Sequence, residues 1–177
     1  MSTTVSRYQR LNLSRRRGNA VRESLASGGL IDRVVIATRS GQVVLYQLTE
    51  QGRAVSSAHH IDPGPIPRES LEHKFWVGRA ARRFEIKGYE VTREHPVKGN
   101  GAVDILATKP GQKIAIEVET GKSDIKENLN KIRTAGFDKI VLIATSPAAS
   151  GACQKAIESV GVDQAVTVEL MSWLDLS

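Results

Sequence analysis

The stretch GAVDILATKPGQKIAIEVETGKSD, residues 101–124, restricts the fold of this chain more than any other. Two aliphatic, β-branched runs flank a Lys109-Pro110-Gly111 turn, so they are expected to pair as neighbouring strands. Asp104 falls on the first run, and Glu117 and Glu119 fall on the second. Side chains alternate along a strand, so the two glutamates share a face. Carboxylates gathered at one sheet edge raise one another's pKa unless a cation sits among them. Downstream, KIVLIATS (139–146) is almost entirely apolar, which marks a strand covered by helices on both faces.

The neighbouring segments complete a sheet of this kind. Residues 68–88 read as one long helix with an apolar face of Leu71, Phe75, Val77, Ala80, Ala81 and Phe84; Trp76 joins the core and Gly88 ends the helix. YEVTREHPV (89–97) alternates as a strand, and Gly99-Asn100-Gly101 reads as a tight turn. SDIKENLNKIRTAGF is expected to form a helix capped by Ser123, with Glu127 slightly past the capping-box position. SGACQKAIESVG reads as a further helix and QAVTVELMSW as a last strand. The order αβββαβαβ implies a mixed α/β sheet between helices.

HHIDPGPIP (59–67) holds three prolines and a glycine, so neither helix nor sheet is expected to cross it. The expected organisation is a small domain at 1–58, this linker, and a larger domain at 68–177. In the first part, Ser14 caps a helix reaching Ser27 and Gly28-Gly29 stops it. A hairpin turns at Arg39-Ser40-Gly41, and Thr49 caps another helix. Charge is unevenly spread. Residues 1–60 carry nine arginines against three acids, which accounts for the whole net charge of +6; the rest of the chain carries 16 bases and 16 acids. A basic first domain points to a polyanion, most simply DNA.

Composition removes several classes. A hydrophobic fraction of 40 % supports a packed core. Cys153 is the single cysteine, which leaves no internal disulfide and no zinc cluster, and is expected to be a small helix residue rather than a nucleophile. No apolar run has the length of a membrane span and no leader pattern opens the chain, so the expectation is a cytoplasmic protein with no membrane partner.

Two resemblances follow from these residues. LIDRVVIATRSGQVVLYQLTEQGRAV resembles the end of winged-helix regulators, in which a wing hairpin runs into LT-x-x-GR. That resemblance implies a helix in the DNA major groove carrying Arg15, Arg16, Arg17 and Arg22, with Arg39 at the wing tip on the backbone. Few residues precede Tyr8 for the usual first helix. Tyr8, Leu11 and Leu13 are therefore expected to form an apolar patch, buried in a homodimer or against a longer polypeptide carrying an ATPase.

Residues 69–146 resemble the PD-(D/E)XK nuclease superfamily, and more narrowly the nuclease-like domains at the C-terminus of some HerA-type DNA-translocating ATPases of archaea and mobile elements. The implied fold is a restriction-endonuclease-like mixed sheet flanked by helices, preceded by a small winged-helix domain. Asp104 matches the first acid of the family pattern, Glu117 the second, and Glu72 the helix glutamate, with Glu69 one turn earlier. Glu119 stands where the family places a lysine.

Hard oxygen donors at Asp104, Glu117 and the Val118 carbonyl suit Mg²⁺ or Mn²⁺. Glu119 is expected to act as general base or second-metal ligand. Lys131, one turn from Asn128 on the following helix, is the first candidate for the missing cation, then Lys122; Lys122 and Asn128 are also expected to touch DNA. His73 reads as a packing or phosphate contact rather than a ligand. His59 and His60 read as solvated. The leading function is a Mg²⁺-dependent deoxyribonuclease. The alternatives are an inactive nuclease-fold DNA-binding or assembly module, and a winged-helix transcription regulator.

Overall fold

The computed structural model describes residues 8–67, 69–97, 101–160 and 166–176. The chain divides into two compact units: residues 41–72 group with those before residue 38, and residues 38–40 group with those from His73 onward. Of the expected tight turn, Gly99 and Asn100 lie outside the described residues. Among the described residues no helix is long and apolar enough to cross a membrane.

In the first unit, residues 8–10 are helical and lead to α1 (Arg15–Ser27). The Ser14 hydroxyl accepts the Arg17 amide at the start of α1. Strands β1 (Ile31–Thr38) and β2 (Gly41–Leu48) pair in a two-stranded sheet, and α2 (Glu50–Ala58) follows. Thr49 caps α2 by accepting the Gly52 amide and itself donates to the Gly29 carbonyl, which ties the two helix ends together. Tyr8 does not join an exposed patch as expected. Its ring lies over Gly18, where an added Cβ would sit 2.5 Å from it, and its hydroxyl donates to Asn19. Leu11 is exposed and Leu13 half-buried. Residues 61–67 form neither helix nor strand.

The second unit is a five-stranded mixed sheet flanked by helices. Helix α3 (Leu71–Ile86) starts three residues later than expected and ends at Gly88, whose φ of 79° only glycine adopts readily. Strands β3 (Glu90–Val97), β4 (Gly101–Lys109) and β5 (Gln112–Glu119) form an antiparallel meander. Helix α4 (Ile125–Arg133) carries the chain to β6 (Lys139–Ala144), which lies parallel to β5. Helix α5 (Pro147–Val160) then leads to β7 (Thr167–Ser172), parallel to β6, and a 3₁₀ turn at Trp173–Leu176. The sheet order β3-β4-β5-β6-β7 follows the chain.

Alternation sets the core. Ala115 of β5 and Ile140, Leu142 and Ala144 of β6 meet Ile125, Leu129 and Ile132 of α4 and Ala149, Cys153 and Ala156 of α5. Val141 and Ile143 point the other way and are buried too, as a strand covered on both faces requires. Helix α3 turns Trp76, Val77, Ala80, Ala81 and Phe84 inward.

Two helix starts differ from expectation. Asp124, not Ser123, caps α4: its carboxylate accepts the Glu127 amide at 3.0 Å, which puts Glu127 at the capping-box position. Ser123 is drawn away by a different partner, Glu119. At α5, Ser146 accepts the Ala149 amide ahead of Pro147, so the helix begins at the proline that is favoured in a first turn.

Candidate active site

The β4–β5 ladder runs from Lys109↔Gln112 to Ile105↔Ile116 and stops there. The next pair would be Asp104 and Glu117. On the other side, the β3–β4 ladder skips the pair Glu94↔Asp104, and Glu94 has a left-handed φ of 50°. Asp104 therefore sits where regular pairing lapses on both flanks of its strand. Buried backbone donors need acceptors, and the acids supply them. The Asp104 amide donates to Glu117 Oε1 at 3.2 Å, and the Val118 amide donates to Asp104 Oδ2 at 2.7 Å. The carboxylates thus hold apart two strands that would otherwise zip closed.

From α3, His73 places Nε2 at 3.0 Å from the same Asp104 Oδ2. Ligand atoms of Glu69, His73 and Asp104 all lie within 4.8 Å of one another. Glu72, the helix glutamate expected from the sequence, is not in this group. It precedes His73 by one residue, a rotation of about 100° on a helix. The contribution of Val118 is its amide.

The electrostatics are those of acids crowded in a poor solvent. Burial, then the Asp104 charge beside it, push the Glu117 carboxyl up to about 9, against the relief given by the Asp104 amide. Glu119 is also raised, mainly by burial, and the Ser123 hydroxyl opposes the shift. The residue as a whole is only 2 % exposed. Burial, with Glu119 nearby, pushes the Cys153 thiol up to about 11, so it stays a protonated core residue.

A divalent cation fits this donor set. Carboxylate oxygens with one imidazole are acceptable to Mg²⁺ or Mn²⁺, and a cation lowers the cost of keeping several acids ionised together. Glu69, His73 and Asp104 are grouped closely enough to hold one, and Glu117 lies beside Asp104 across the strand gap.

Other sequence candidates fall in separate places. Asn128 and Lys131 line, with Glu117, Val97, Gly101, Ala102 and Ile132, a cleft of ≈ 180 Å³. The Lys131 ammonium pairs with Glu127 at 2.7 Å. Lys122 is exposed in the loop before α4. Arg15, Arg16 and Arg17 are exposed in the first turn of α1, and Arg39 is exposed at the hairpin turn. Arg22 pairs with Glu23 and lies 6.0 Å from the Tyr46 ring.

Sequence reasoning missed His73 and Ser123 as partners of the acids. Glu69 and His73 are four residues apart, but Glu69 precedes α3, which begins at Leu71, so helical spacing does not by itself pair them. Ser123 follows Glu119 by four residues, but through a loop, where spacing carries no such information.

No protein-family model matches the chain, and no curated protein matches it. Among solved structures the chain is similar to the crystal structure of a repair endonuclease from Pyrococcus abyssi. Identity is 16 %, the TM-score is 0.36, and the match covers 63 % of this chain and 51 % of that one.

Proposed function

We propose that the chain is a metal-dependent nuclease that hydrolyses phosphodiester bonds in DNA, with the basic first unit acting as a winged-helix DNA-binding domain. One observation carries this reading: Asp104 and Glu117 exchange side chain for backbone where the β4–β5 ladder ends, leaving a crowded set of acids for which a divalent cation is the natural complement. Asp104, Glu117, Glu69 and His73 would hold the ion. When bound, such an ion neutralises charge on a phosphoryl oxygen and makes a bound water more acidic.

The chain's own groups do the rest. His73 steadies Asp104 through Nε2. Glu119, with its raised proton affinity, is the acceptor for the proton of the attacking water, and Ser123 holds its carboxylate in place. Lys131 and Asn128, on the rim of the cleft beside Glu117, steady the substrate phosphate. The arginines of α1 and Arg39 contribute affinity through phosphate contacts. One site of this kind cuts one strand, so a double-strand break calls for two copies of the chain or two visits by one; sedimentation with and without DNA tests the homodimer.

The ion pair of Lys131 with Glu127 favours a second reading, an inactive DNA-binding module, because it occupies the leading candidate for the missing cation. Plasmid cleavage in Mg²⁺ or Mn²⁺ separates the two. Cleavage by the wild type and its loss in Asp104→Asn supports the nuclease. Uncut plasmid under saturating binding favours the module.

A further inference from the structure

The C-terminal half of α3 carries a second concentration of charge, in a stretch, residues 61–177, whose acids and bases balance overall. Arg79, Arg82, Arg83 and Lys87, with Ile86 and Leu176, line a cleft of ≈ 280 Å³. The basic positions recur at helical spacing, so the four cations share one side of α3 and its end. Among the described residues no carboxylate pairs with any of them. Arg79 donates to the Leu176 carbonyl at 2.9 Å, which fixes its guanidinium without neutralising it. The Arg83 Nε is buried and has no hydrogen-bond partner. Like charges three and four apart on a helix repel. The helix dipole rewards cations in the last turn, which holds Arg83; Arg79 and Arg82 lie before it.

We propose that this cleft is a second nucleic-acid contact, a guanidinium-lined groove that takes the phosphodiester backbone of one strand. The guanidinium fork matches phosphate oxygens in pairs, which an ammonium cannot do. From Arg79 to Lys87 the helix advances about 12 Å, long enough to follow a backbone rather than hold a single anion. The arginines line a recess instead of standing on a flat apolar face, which suits a strand better than a membrane surface. The proposal deepens the function above and rests on its premise that the chain acts on DNA. It assigns part of the affinity to the second unit, apart from the arginines of α1.

The test uses the full chain, a labelled duplex and a single strand of the same length, in EDTA over a range of salt. The double variant Arg82→Gln, Lys87→Gln removes two exposed charges. Its log K against log salt should be shallower than wild type by about 1.8 on duplex and about 1.4 on single strand, at about 0.9 and 0.7 per phosphate contact. The control Lys113→Gln, Lys155→Gln removes two exposed charges elsewhere in the same unit and should leave the slope unchanged. A cleft variant with wild-type slope and Kd on both ligands overturns the groove while leaving the proposed function standing. Equal losses in control and cleft variants overturn it as well, since only net charge would then matter. A wild type that binds neither ligand overturns both proposals together.

Discussion

Asp104 and Glu117 are joined through backbone rather than through their side chains alone: the Asp104 amide donates to the Glu117 carboxylate at 3.2 Å across the end of the β4–β5 ladder. The reciprocal bond, from the Val118 amide to the Asp104 carboxylate, closes the gap from the other strand. Each acid therefore has a structural task besides the chemical one proposed for it, and substitutions at these positions separate the two.

Asp104→Asn keeps an oxygen for the Val118 amide and a partner for His73, so its thermal midpoint should stay close to that of wild type. Asp104→Ala leaves a largely buried amide without its acceptor and should cost about 1–3 kcal/mol. Both should lose DNA cleavage, with binding nearly intact. Denaturant unfolding beside a plasmid assay checks this; a fully cleaving Asp104→Asn removes Asp104 from the chemistry.

The raised pKa of Glu117 gives a pH dependence with a definite sign. Between the ordinary value of 4.5 and about 9 the folded protein holds a proton that the unfolded chain releases. The contribution of Glu117 is thus fully present below 4.5 and is lost as pH rises towards 9. In EDTA, wild type should melt at a lower temperature at alkaline than at mildly acidic pH, and Glu117→Gln should flatten that slope. Mn²⁺ at a hundredfold excess over its Kd should stabilise wild type by about 2.7 kcal/mol; at one fixed Mn²⁺ concentration the gain should be larger at alkaline than at mildly acidic pH, and Asp104→Ala should gain nothing. Identical pH slopes for wild type and Glu117→Gln contradict the assignment.

Local chemistry made most of this fold readable. Ser14 and Thr49 cap the helices that their positions announce, and Gly88 ends α3 where its backbone freedom is needed. The apolar run of β6 gave away a strand buried on both faces. Competition between neighbours was harder to read. Ser123 and Asp124 are both good caps, and the choice fell to Asp124 because Glu119 engages the Ser123 hydroxyl. The bond from His73 to Asp104 spans 31 residues and depends on how α3 is set against β4, which no periodicity encodes. Ladder breaks around Asp104 are likewise products of the assembled sheet.

Glu119→Gln tests the proton acceptor. The amide keeps the shape of the side chain and an oxygen for the Ser123 hydroxyl, so folding and DNA binding should change little. Cleavage should fall by about 10²–10⁴-fold, the usual worth of a positioned general base. Glu119→Lys, which introduces the lysine of the superfamily pattern that the sequence resembles, should be damaging, because the proposed proton acceptor is gone and the ammonium must replace a residue that is 2 % exposed. A fast Glu119→Lys enzyme would mean that Glu119 merely fills the place of a charge-stabilising lysine.

The three arginines that open α1 make a prediction in which binding and stability move in opposite directions. Arg15, Arg16 and Arg17 occupy the first turn, which holds no acid. Cations there oppose the helix dipole, each at a cost of about 0.3–1 kcal/mol at low salt. They are exposed, so packing does not account for them. Replacing all three with glutamine should therefore leave the melting temperature of the first unit unchanged or raise it. The same variant should bind duplex DNA more weakly, with the slope of log K against log salt shallower by about 2.7 for three lost phosphate contacts. Wild type, if Arg22 and Arg39 also reach phosphates, should show about −4.5 from these five arginines alone. Salt titrations of the full chain beside a thermal melt read both quantities. A variant that melts lower and binds as before would make the arginines structural and take the DNA contact away from α1.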